Sequence, residues 1–236
     1  MNSNQTVGQI VAEDFRKAAI FKHYGIDFCC GGGRTLVESC QSKGVDPQEV
    51  AAALEELEQS AFASETEYNE WSLSFLIDYI VNKYHHYIQR SANPITEFAV
   101  KVARVHGQRH PEVIEVLQSW NELREELLQH LQKEEQILFP YIKTLENKTE
   151  WQQPGFGTIE NPLAVMESEH ENAGALMARI AELTDQYQAP EGACTTYRVL
   201  FSMLKEFEEK LHEHVHLENN ILFVKGAELE KEMVGV

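Results

Sequence analysis

Two stretches of this chain repeat one another, and the repeat limits the folds open to it. HLQKEEQILF begins at His130 and HVHLENNILF at His214; they share His, Glu, Ile, Leu and Phe at five of ten positions, 84 residues apart. An upstream pair, His85 and His170, shows nearly the same offset, 85 residues. Each half therefore holds one histidine, a gap of 44 or 45 residues, and then His-x-x-x-Glu. Two helical hairpins with matched polar groups are what a pseudo-symmetric bundle displays.

The rest of the chain reads as helical. Alternating β-branched runs are missing, and Gly and Pro gather at a few breaks. Long amphipathic helices are expected over 71–91, 112–146, 162–187 and from 195 to beyond 222, with a shorter one over 95–106 and a loop over 147–161. Ahead of them, residues 1–60 read as a small helical domain. Its first helix spans 6–24, opened by a Thr6/Gln9 capping box and stopped at Gly25. A second runs to about Lys43 and ends at Gly44. Asp46-Pro47-Gln48-Glu49 opens a third, which ends near Gln59. The polar stretch 60–70 is the expected linker to a bundle domain over 71–230. The fold class is all-α: an antiparallel four-helix bundle preceded by a small helical N-terminal domain. A chain of 236 residues has room for both.

The repeated polar groups fall on the apolar faces of these helices. One stripe runs Leu73, Ile77, Val81, His85, Ile88. The next runs Trp120, Leu123, Leu127, His130, Glu134, then Ile137 and Tyr141. The third is Leu163, Met166, His170, Ala173, Met177, Ile180. The last is Leu200, Leu204, Phe207, Leu211, His214, Glu218, Leu222. Four histidines and two glutamates thus point into one core. Burying each carboxylate unpaired would cost several kcal/mol. His–Glu pairing is one way to meet that cost; a metal cluster satisfies all six groups at once. The set exceeds a tetrahedral zinc site. It suits two metals, each with two His, bridged by both carboxylates and by one oxo or hydroxo group. Ligation by nitrogen and oxygen without thiolate favours iron or manganese.

Other features narrow the field. His212-Glu213-His214-Val215-His216 matches the H-E-x-x-H pattern of zinc proteases. However, His212 and His216 lie about 200° around the helix from His214, on a face expected to meet solvent or a subunit edge. His86 sits on a polar face with Tyr79, Asn82, Lys83, Gln89 and Arg90. The net charge of −18 repels phosphate backbones and no basic patch offsets it, which argues against nucleic-acid binding. No apolar run nears the roughly 20 residues of a membrane span. The opening MNSNQTVGQIVAEDF has no secretory pattern, so a cytoplasmic protein is expected. Cys29, Cys30, Cys40 and Cys194 do not make a disulfide framework. Cys29-Cys30 precede Gly31-Gly32-Gly33 and a helix beginning near Arg34. Thiols so placed are expected to ionise easily and to serve redox or transfer chemistry, the alternative being a structural pair. The glycines let backbone or another subunit approach closely.

HLQKEEQILFP, VMESEHENAG and LENNILF resemble the hemerythrin-like domain of the repair of iron centres family, and GIDFCCGGGRTL resembles that family's short N-terminal domain with its Cys-Cys pair. The resemblance spans essentially the whole chain. It implies a non-haem centre of two iron ions, oxo- and carboxylate-bridged, held by His85, His130, His170 and His214 with Glu134 and Glu218 bridging. It implies repair of iron–sulfur clusters damaged by nitrosative or oxidative stress, through iron donation, removal of nitric oxide, or both. Nitric oxide reductase activity at the centre, damaged iron–sulfur proteins as partners, and a homodimer belong to the same expectation. An oxygen or nitric oxide sensor is the alternative. Oxygen-carrying hemerythrins place a second histidine one turn after the first on the third bundle helix; here that position is Gly174, which leaves a more open site. His106 matches a histidine near the family's site region, or is a surface residue.

Overall fold

The computed structural model describes residues 5–59, 68–147 and 153–234. Most of the expected 60–70 linker and part of the 147–161 loop lie outside these. Four helices lead the chain: α1 (Val7–Glu13), α2 (Lys17–His23), α3 (Leu36–Lys43) and α4 (Pro47–Gln59). A 3₁₀ turn, Tyr68–Glu70, precedes α5 (Leu73–Ile80), which passes through a π-helical turn, Val81–His85, into α6 (His86–His106). Then come α7 (Glu112–Lys133), a π turn at Glu134–Leu138, and α8 (Phe139–Glu146). They are followed by α9 (Glu160–Leu183), α10 (Thr195–Leu217), a π turn at Glu218–Leu222, and α11 (Phe223–Val234). The chain divides into two compact units. One is Ile77–His214; the other joins residues 1–76 to residues 215–236.

The Ile77–His214 unit is a bundle of helices. The tight turn after His106 reverses the chain, so α6 and α7 pack antiparallel, and α7 packs in turn on α9. Trp120 of α7 meets Phe207 of α10 edge-on, with ring centroids 4.9 Å apart. On α9 the expected stripe of Leu163, Met166, His170, Ala173, Met177 and Ile180 is buried throughout. The separate helix expected over 95–106 is instead part of α6, which runs unbroken through Pro94. Pro94 and Arg90 are both exposed, so water can take the Arg90 carbonyl that proline leaves without its helical partner.

A second correction concerns the stripe beyond Glu134. Ile137 is 52% exposed and Tyr141 half-buried, whereas Leu138, Phe139 and Ile142 are in the core. A π turn holds one more residue than an α turn, so every position after it rotates by about one residue's step. Val81, at the start of the first π turn, is likewise only half-buried, and Tyr84 and His85 are buried in its stead.

The other unit closes around Val7, Ile10, Val11, Phe21, Val50 and Leu54. The Thr6/Gln9 capping box is present, and Gly25 and Gly44 end their helices at φ of +66° and +68°. The helix expected over 6–24 is split in two at Asp14. There the backbone is extended, and the carboxylate accepts from the Arg16 backbone N–H at 3.1 Å and from its guanidinium at 2.6 Å. The C-terminal segment packs into this unit: the Asn69 side chain donates to the Ala12 carbonyl, and Lys225 donates to the Asn69 carbonyl. His216 is therefore fully buried rather than facing solvent. The rings of Phe15 and Phe28 stand 5.7 Å from it, and burial pushes its pKa down to about 4.

Candidate metal centre

The bundle unit brings five of the six inward groups together. His85, Glu134 and His214 present ligand atoms within 4.8 Å of one another, and so do His130, Glu134 and His170. Their side chains are at most 2% exposed. Nε2 of His85 faces Nε2 of His214 at 3.1 Å, and Nε2 of His130 faces Nε2 of His170 at 3.0 Å. Glu134 belongs to both groups: Oε2 lies 3.5 Å from His85 Nε2 and Oε1 3.3 Å from His130 Nε2. Glu218 is fully buried as well, one turn after His214 on an uninterrupted helix and at the start of the π turn. It stands to His214 as Glu134 stands to His130.

Outer carboxylates fix the rings. Nδ1 of His85 lies 2.8 Å from Glu135 Oε1, and Nδ1 of His130 lies 2.9 Å from Glu169 Oε2. A carboxylate only accepts, so each Nδ1 carries the proton and each ring turns Nε2, its other nitrogen, inward as the ligand atom. Lys133 donates to the other oxygen of Glu169. Burial alone would raise the Glu169 carboxyl, but the hydrogen bonds from Lys133 and His130 outweigh it and hold its pKa below the usual value. Glu135 and Glu169 have no motif of their own in the sequence; their only signal is adjacency to Glu134 and His170.

This arrangement gathers ligand atoms of four imidazoles and a carboxylate at one place. Both Glu134 oxygens are buried without a hydrogen bond, and the nitrogens nearest them are the Nε2 atoms of His85 and His130. Such a convergence calls for positive charge. Imidazole and carboxylate donors, backed by carboxylates on the far nitrogens, are a donor set for a first-row transition metal. Phe139 stacks on His85 with centroids 5.5 Å apart and Tyr84 on His214 at 5.9 Å, which keeps water from these rings.

The remaining candidates lie elsewhere. His106 is on the same helix as His85 but 21 residues along it, about 30 Å away at an α-helical rise. Its Nε2 meets Cys194 Sγ at 3.2 Å instead. His212 is half-buried and His86 exposed. Cys29 and Cys30 lie in the unit formed by the two ends of the chain, in a loop between α2 and α3, with Asp27. The Cys29 thiol is not readily ionised, contrary to expectation. The Cys30 thiol beside it, burial, and the Asp27 charge together push its pKa well above the ordinary value. The nearest helix start is capped at Thr35, and Arg34 is exposed. Of the three glycines Gly32 is the most tightly confined: a Cβ there would lie 2.6 Å from the Phe28 carbonyl and 2.9 Å from Asn220, one on Gly31 would lie 3.2 Å from Asp27, and one on Gly33 would meet nothing.

Comparison with known proteins fits this layout. Residues 76–225 match the family described as the hemerythrin HHE cation binding domain. Residues 3–58 match the ScdA N-terminal family, described as a domain of unknown function, DUF542. The iron-sulfur cluster repair protein YtfE of Yersinia pestis (strain Pestoides F) is 35% identical over 224 residues, covering 94% of this chain and 96% of that one. The protein of the same name from Yersinia pseudotuberculosis serotype O:1b (strain IP 31758) gives the same figures.

Proposed function

The chain belongs to the family of iron–sulfur cluster repair proteins that join a ScdA-type segment to a hemerythrin HHE cation-binding bundle, and from that membership we propose that it repairs damaged iron–sulfur clusters through a di-iron centre. One iron would be held by His85 and His214, the other by His130 and His170, with Glu134 and Glu218 shared between them. The observation that carries this assignment is Glu134. It sends one oxygen toward each histidine pair, and both oxygens are buried without a hydrogen bond. The equivalent place of Glu218, one turn past His214, supports it as the second bridge.

When bound, the irons supply exchangeable coordination and redox chemistry for removing nitric oxide, and iron is itself the cargo where repair proceeds by donation. The protein's own part is preorganisation. Glu135 and Glu169 keep protons on the Nδ1 atoms of His85 and His130, so that both rings offer Nε2 inward without a rearrangement. Phe139 and Tyr84 exclude water from the rings they cover. Gly174 stands where oxygen carriers have a further histidine, so the site has one ligand fewer, which favours repair over reversible oxygen storage. The Cys29–Cys30 pair takes part in repair as a transfer site. Nitric oxide and damaged iron–sulfur proteins as partners, a homodimer and a cytoplasmic location rest on the resemblance alone. Among the described residues no helix is long and apolar enough to cross a membrane. The name borne by the relatives, iron-sulfur cluster repair protein, favours repair over sensing.

Metal content and the optical spectrum test the centre, on chain purified with and without oxygen. Two irons per chain are expected, falling below one in His130→Ala with the helical signal retained. The unmodified, iron-loaded chain should restore activity to an enzyme whose cluster nitric oxide has damaged, and His130→Ala should not. One zinc per chain, or no metal, removes the di-iron reading.

A further inference from the structure

We propose that Cys29 and Cys30 form a dithiol chelate for one thiophilic divalent cation, a site separate from the histidine–glutamate groups of the bundle. The two Sγ atoms lie 3.9 Å apart. A disulfide requires about 2 Å. Two sulfurs on one tetrahedral ion, each about 2.3 Å from it, stand about 3.8 Å apart. The loop is thus spaced for a shared ion rather than for closure of an S–S bond.

That spacing is built into the loop. Asp27 Oδ1 accepts the backbone N–H groups of Cys29 and Cys30 at 2.9 and 3.1 Å, and Oδ2 accepts that of Gly31 at 2.8 Å. Val7 N–H donates to the Arg34 carbonyl at 2.9 Å and Gly8 N–H to the Gly32 carbonyl at 2.8 Å, tying the far side of the loop to α1. Asn220 occupies the space that a Cβ on Gly8 or Gly32 would need. With the backbone fixed from three sides, little ordering remains to be done when an ion binds.

Asp27 supplies a third donor: Oδ1 is 3.2 Å from Cys29 Sγ, and the three residues offer ligand atoms within 4.8 Å of one another. Cys29 is buried, Cys30 half-buried and Asp27 exposed. An ion therefore enters from the Cys30 side, and its remaining positions are open to water or to an incoming thiolate. On binding, each S–H bond breaks as an S–metal bond forms. Two protons leave for solvent, and the Cys29 hydrogen bond to Asp27 is replaced by attraction between the carboxylate and the ion. No oxidant or reductant is consumed. Two sulfurs select Zn²⁺ or Fe²⁺ and discriminate against Mg²⁺ and Ca²⁺.

Cd²⁺ titration of the full-length, iron-loaded chain tests the site, because cadmium–thiolate charge transfer in the ultraviolet has no counterpart in nitrogen and oxygen ligation. The expected result is one Cd²⁺ per chain with thiolate absorption, unaffected by excess Mg²⁺. Cys30→Ser should weaken binding at least about tenfold; Cys40→Ser and Cys194→Ser should leave it unchanged. Cys30 is not in the core, so its serine variant should keep the fold, and an unchanged helical signal and melting temperature would verify that. Absence of thiolate absorption in the native chain, or an unchanged Cd²⁺ affinity in Cys30→Ser, overturns the proposal. The outcome is independent of the repair reading, since a chain could pass either test and fail the other.

Discussion

Glu134 is the residue on which the candidate centre depends, because among the described residues of the bundle unit it is the side chain common to both histidine pairs. Its place was legible from sequence: the His-x-x-x-Glu repeat and the apolar stripe both select it. The carboxylates behind the rings were not legible. The chain has 38 acidic residues, most of them solvating helix faces, and nothing in spacing alone separates Glu135 and Glu169 from the rest. Three-dimensional contact does, and it carries a prediction. Glu169→Gln keeps the size of the side chain but no longer compels His130 to hold its proton on Nδ1. Iron affinity should fall about 10–100-fold with the helical signal intact, as read by competition with a chelator of known strength. An unchanged affinity would mean that Glu169 serves only the Lys133 ion pair. His216 shows the converse. Its own helix gives it an outward face, whereas Phe15 and Phe28, distant in sequence, cover it.

At the level of elements, three helices with ligand candidates depart from α geometry at those residues. The π turns end at His85 and begin at Glu134 and Glu218. π turns recur at functional sites, where they re-aim a side chain without ending the helix. No local composition announces them, so a period of 3.6 residues applied across Glu134 gave the wrong core beyond it. Paired alanine substitutions measure this directly. Leu138→Ala should cost about 2–5 kcal/mol, as for a buried leucine, while Ile137→Ala should stay within about 0.5 kcal/mol. Chemical denaturation of the two variants reads the difference, and equal costs would contradict the rotation. Pro94 misled in a similar way. Proline usually ends a helix, but on an exposed face the loss is limited to one bond that water replaces.

For the whole molecule, the helical class and the pseudo-repeat were legible, because both are written in periodicity. The company kept by the last turns of the chain was not. Residues 215–236 share a compact unit with residues 1–76, and no repeat or motif links the two segments. Deleting residues 1–59 should therefore do more than remove a small domain. It would uncover His216 and the neighbouring apolar surface of the C-terminal segment, from which Phe15 and Phe28 now exclude water. The truncated chain should melt at a lower temperature and bind a hydrophobic dye more strongly than the full chain. Unchanged melting and dye binding would show that the C-terminal segment needs no such cover.

The π turns also bear on how such a chain can change over evolutionary time. Each is, in effect, a single-residue insertion absorbed within a continuous helix, with the register on one side offset from that on the other. Losing that residue would give back an ordinary helix but would turn one flank's core face outward. The insertion is therefore held in place from two directions, by the polar groups it aims and by every apolar residue beyond it. A lineage could shed the metal chemistry by point substitution more easily than it could shed the turns. They would persist in its helices as a fossil of the site.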